Sequence, residues 1–128
     1  LIIYSFDTGE STGVARMDTK SCEVILQTIS SSELLGLIQD KDFKPDEVLI
    51  ERIPESSKFE LLLLFRSVIS VCTILGIPLT MIAPSQWKPI RDGRKWKCNS
   101  SSTVHEDDAY NILRYHLIRK SSWDIGDI

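Results

Sequence analysis

No two of the three cysteines, Cys22, Cys72 and Cys98, form a C-x-x-C pair, and their number is odd. That argues against a zinc ribbon, a thioredoxin-type dithiol and a disulfide scaffold, and points to reduced thiols of the kind kept in the cytosol. An unusual load of charge is lacking, since charged residues make up 26%, close to the soluble average, and nothing suggests disorder. Uninterrupted apolar runs of bilayer length are also missing. The nearest is FELLLLFRSVISVCTILGI, Phe59 to Ile77, but Glu60 and Arg66 break it and Ser67, Ser70 and Thr73 follow. It reads as a buried helix, with no membrane span expected. No basic region precedes the first apolar run, so no signal peptide is expected and the expected location is cytoplasmic. An excess of cations is lacking too: the formal net charge is −3, which weighs against a general nucleic-acid binder.

What is present is enough for one core, with 42% hydrophobic residues in 128 and no internal repeat. The charge balance also reverses locally. QWKPIRDGRKWK, Gln86 to Lys97, holds Lys88, Arg91, Arg94, Lys95 and Lys97 against a single acid, Asp92, with Trp87 and Trp96 interleaved. Such a loop reads as a place for phosphate, its tryptophans suited to stacking or wedging against bases; the plain alternative is a solvated basic turn.

Apolar periodicity and breakers set the elements. Residues 1–7 read as a strand, Thr12 to Asp18 as its hairpin partner, and Cys22 to Ile29 as a third strand. Ser30 to Ser32 cap a helix that ends by Lys41. EVLIERI carries Glu51 near the end of a fourth strand. A long helix follows from about Ser56 to Leu75, closed by Gly76 and Pro78, and Leu79 to Ala83 is a fifth strand. Thr103 and the serines before it cap a last helix that runs to about Arg119, leaving 121–128 as a tail. The expected class is α/β, a five-stranded mixed sheet flanked by helices, with strands one, four and five parallel.

Asp7 closes the first parallel strand and Glu51 nearly closes the next, and ligands collect at such carboxyl ends. In the last helix Ala109, Ile112, Leu113 and Leu117 form the sheet-facing stripe, and His105 and Asp108 lie one turn back along it. If the two strands adjoin, Asp7, Glu51, Asp108 and His105 converge. Carboxylates gathered without a cation repel, and this donor set suits Mg²⁺ or Mn²⁺. Each residue has a plainer reading: Asp7 as a turn former, His105 as a capping or surface residue, Glu106 and Asp107 as dipole-favoured first-turn acids, His116 as a packing or surface group. Glu51, an acid in an otherwise apolar strand, favours the metal reading.

Asp7-Thr8-Gly9 followed by Thr12-Gly13, Glu51 closing a strand, and His105-x-x-Asp108-Ala109 opening the last helix resemble the RuvC-type Holliday junction resolvases of the ribonuclease H-like superfamily. The compact form looks more like viral or phage relatives, for which the location would be the host cytoplasm. The resemblance covers Leu1 to about Arg119 and implies a nuclease domain over residues 1–120. It also implies a homodimeric endonuclease that nicks four-way DNA junctions symmetrically and leaves 5′-phosphates. Asp7, Glu51, His105 and Asp108 would hold two Mg²⁺, with Mn²⁺ as a substitute, and Gly9 would let the scissile phosphate approach the backbone. Trp87, Lys88, Arg91, Arg94, Lys95, Trp96 and Lys97 would meet DNA. Independently, apolar residues cover about half the circumference of helix 56–75, which is more than one sheet needs and points to a second copy. The short segment before the last helix departs from the bacterial pattern. Rivals are a YqgF-type RNA-processing nuclease, against which Glu51 speaks; a debranching nuclease; an actin-like ATPase, which needs two such domains; and a non-catalytic junction-binding module.

Overall fold

The computed structural model describes residues 1–88 and 103–126, with side chains as far as Arg119. Five strands form one mixed sheet in the order β3-β2-β1-β4-β5. They are β1 (Ile2–Asp7), β2 (Ser11–Asp18), β3 (Glu23–Ser30), β4 (Glu47–Glu51) and β5 (Leu79–Ile82). The first three are antiparallel neighbours, while β4 runs parallel to both β1 and β5. The expected parallel trio is therefore present, and β1 and β4 adjoin.

Helices cover both faces. On one lie α1 (Ser31–Gln39) and α2 (Phe59–Leu75), and on the other α3 (Val104–Gly126). Strand alternation sorts the side chains between them. Tyr4 and Phe6 of β1, and Val48 and Ile50 of β4, pack with Leu34, Ile38, Leu64 and Val68 under α1 and α2. Ile3 and Leu49 face the opposite way, toward Ala109, Ile112 and Leu113 of α3. By the same alternation Ser5 and Asp7, and Glu51, face α3.

Local chemistry ends the helices where the sequence indicates. Ser30 and Glu33 form a reciprocal capping box at α1. Gly76 adopts the left-handed conformation (φ 70°) after α2, and the Ile77 amide donates back to the Cys72 carbonyl at 2.8 Å. Two hydroxyls inside α2 are satisfied within the helix: those of Ser67 and Thr73 donate to the Leu63 and Ile69 carbonyls. α2 starts at Phe59 rather than Ser56, and it buries only Leu64, Val68 and Cys72, leaving Phe59, Leu63, Ile74 and Leu75 exposed. Among the described residues no helix is long and apolar enough to cross a membrane. α3 continues to Gly126, so residues 121–126, expected as a tail, are its last turns.

Trp87 corrects a sequence expectation. It sits on a helical stretch at 84–88 directly after β5 and is 1% exposed, packed with Ile3, Leu49, Ile82 and Ile112. A side chain so enclosed has no free face for a base; its role is to pin the start of the basic segment to the core. Trp87→Ala should therefore cost about 3–5 kcal/mol in urea unfolding, whereas loss of a solvent-facing tryptophan would cost about 0.5 kcal/mol or less.

Candidate active site

Register brings four residues of four strands into one row. Phe6 pairs with Ile50, so the next residues along the two parallel strands, Asp7 and Glu51, end side by side. Asp7 pairs with Gly13, and Gly13 with Thr28. The row Glu51–Asp7–Gly13–Thr28 thus crosses the sheet at the carboxyl end of β1 and β4, and the first turn of α3 lies over it.

Gly13 makes that approach possible. A Cβ on it would run into the carbonyl group of His105, far inside van der Waals contact. One turn further along α3, the buried Ser5 hydroxyl donates to the Ala109 carbonyl at 2.7 Å. Beyond Gly13, the Thr28 hydroxyl donates to Glu106 at 2.7 Å. Glu106 also closes a capping box with Thr103, each side chain accepting from the other's amide. Glu106 is therefore more than a first-turn acid favoured by the helix dipole.

The helix so seated delivers the expected groups. His105 Nδ1 lies 3.6 Å from Asp7 Oδ2, with the Asp7 side chain 15% exposed. Glu51 is hydrogen-bonded to Asp7, and its carboxyl is pushed up to about 8, first by burial, then by the charge of Asp7 and that hydrogen bond. The charge of Asp108 adds to the rise and that of Lys88 opposes it. Two adjoining carboxyls cannot both ionise cheaply, so the pair holds a proton on Glu51. Asp107, next to this cluster, is itself buried at 7% exposure, and its carbonyl accepts from the buried Asn111 side chain at 2.7 Å.

The three carboxyls are hard donors of the kind Mg²⁺ and Mn²⁺ take, with the imidazole a borderline fourth, and the crowding of negative charge on Glu51 is what a cation would relieve. As placed, however, no three His, Cys, Asp or Glu side chains among the described residues stand in a metal-holding arrangement. Asp7 and Glu51 are turned to each other through their hydrogen bond.

The other expected residues separate. Lys88 is exposed and its charge is felt at Glu51. Gly9 lies in the turn after β1, beside a cleft of about 520 Å³ that Ser31, Lys58 and Glu60 also line. Arg91, Arg94, Lys95, Trp96 and Lys97 fall outside the described residues. His116 pairs with Glu47 at 3.2 Å, at the opposite end of β4 from Glu51.

Two outcomes follow from this geometry. Unfolded, Glu51 ionises near its ordinary 4.5; folded, it keeps its proton to about 8. Between those values the native state binds the extra proton, so in chelator the stability should fall as pH rises from about 5 to about 8 and then level off. Glu51→Gln should flatten that stretch of the urea-midpoint profile. Gly13→Ala must displace α3 from β2 and should cost about 1–3 kcal/mol or more in the same assay.

No family model matches the chain, and no curated protein does. Solved structures do match. RuvC of Thermus thermophilus in complex with a Holliday junction substrate superposes with a TM-score of 0.65 at 14% identity, covering 95% of this chain and 96% of that one. A second Thermus thermophilus RuvC structure gives 0.63 at 14% identity, over the same shares of both chains. At such identity the likeness is one of fold: the chain has the ribonuclease H-like α/β architecture, with its acidic row at the carboxyl end of adjoining parallel strands.

Proposed function

We propose that this protein is a divalent-metal-dependent endonuclease that cuts four-way DNA junctions by paired nicks leaving 5′-phosphates. The observation that carries the reading is the Asp7–Glu51 carboxyl pair on adjoining parallel strands, with His105 and Asp108 brought to it by the first turn of α3. The fold shared with RuvC, one structure of which holds a Holliday junction substrate, supports it.

Asp7, Glu51, Asp108 and His105 would hold two Mg²⁺, or Mn²⁺ in their place. When bound, such ions activate the attacking water and stabilise the leaving 3′ oxygen. To join that ligand set Glu51 would release its proton to solvent, so loading would be favoured at higher pH. Lys88, exposed beside the cluster, draws the scissile phosphate in, and Gly9 leaves the turn after β1 without a side chain to obstruct it. The uncovered side of α2, with Phe59 at 73% and Leu63 at 55% exposure, would pair with a second copy, and a two-fold assembly matches the two-fold character of paired nicking.

End-labelled four-way junction, Y-junction, linear duplex and RNA, each incubated with Mg²⁺ or Mn²⁺, test this reading. Symmetric nicks in the four-way junction are expected, lowered by about 10³-fold or more in Asp7→Asn and Glu51→Gln. Junction binding without cutting would leave a binding module, and cleavage of RNA alone would make the protein an RNA-processing nuclease. For the assembly, Leu63→Glu should sediment as a monomer and lose the pairing of the two nicks.

A further inference from the structure

The hydroxyl of Thr28 belongs to a closed ring whose donors and acceptors can be assigned without conflict. Thr28 Oγ1 donates its one proton to Glu106 Oε2 at 2.7 Å. The 2.8 Å contact between Thr28 Oγ1 and Thr103 Oγ1 must then run from Thr103 to Thr28. Thr103 Oγ1 in turn accepts from the Glu106 amide at 3.1 Å, while the Thr103 amide donates to Glu106 Oε1 at 3.3 Å. Both hydroxyls donate once and accept once, and both Glu106 oxygens are used. The ring joins an edge strand to the first turn of a helix across 75 residues of chain, and it lies beside the point where Gly13 admits the His105 carbonyl.

We infer that Thr28 is a positioning residue: its hydroxyl, through Glu106 and Thr103, fixes the first turn of α3 so that His105 and Asp108 meet Asp7 and Glu51. The first turn of a helix frays most readily, since its amides lack intrahelical partners. A capping box secures such a turn on itself but does not tie it to the sheet. At this end of α3 Gly13 provides room without attachment, and the Thr28 hydroxyl provides the attachment. Thr28 is solvent-exposed on the outermost strand, so its loss should leave global stability nearly intact while loosening the two helix-borne groups. Misplacement by about 1 Å is enough to cost a reaction up to about 10²-fold.

The inference rests on the nuclease reading for its kinetic test and on none for its structural one. Thr28→Val keeps the shape and removes the hydroxyl; Thr28→Ser keeps the hydroxyl. Junction cleavage by Thr28→Val should show kcat reduced about tenfold with KM unchanged, and Thr28→Ser should restore it. In the metal-free proteins the His105 ring resonances should move in Thr28→Val and return in Thr28→Ser, with Tm within about 3 °C of wild type throughout. Unmoved His105 resonances in Thr28→Val, or equal losses in both variants, would overturn the assignment. If the wild type cleaves none of the substrates, the nuclease reading fails, and the resonances alone decide the role of Thr28.

Discussion

The backbone of His105 reaches the sheet only because position 13 carries no side chain, and the rest of the site depends on that contact. An α-helix normally packs on a sheet through its side chains, which keep the two backbones well apart. Here the bare Gly13 surface lets the first turn of α3 come down onto β2. The buried Ser5 hydroxyl fastens the next turn to β1 through the Ala109 carbonyl. Close approach is what lets a short imidazole and a short carboxylate on the helix meet carboxyls on β1 and β4.

Electrostatics then works against that packing. Burial and the charges of Asp7 and Asp108 all raise the free energy of ionised Glu51, and Lys88 answers only in part. The cluster avoids the cost by holding a proton between two carboxyls. Packing therefore assembles the site and its charge stays partly neutralised by a proton, a state that lower pH favours and that a bound cation would replace.

Much of this could be read in the residues. Ser30 with Glu33, and Gly76 with Pro78, place helix ends by local chemistry alone, and strand alternation puts Asp7 and Glu51 on one face. Their adjacency depended on a strand order that the residues left open and that the register supplies. What was hidden depends on partners far along the chain. Glu106 looks like any first-turn acid until Thr28 is brought to it, 78 residues away. Gly13 falls within the expected second strand, but nothing beside it in sequence shows that its missing side chain admits the His105 backbone. Trp87 sits among cations and reads as an exposed aromatic; its burial comes from the helical turn that follows Ile82 and swings it under α3. At the end of α3, Ser121, Ser122 and Gly126 are residues that favour stopping, yet the helix continues to Gly126.

The burial of Trp87 one residue before the exposed Lys88 divides the chain into two kinds of inheritance. Position 87 is answerable to the core and can change only as the shapes of Ile3, Leu49, Ile82 and Ile112 allow. Position 88 is answerable to whatever lies outside. A lineage could retune its charge at Lys88 by single steps without risking the fold, because the neighbouring tryptophan holds the backbone in place through each trial. Adaptability at this rim of the site is a product of rigidity one residue away.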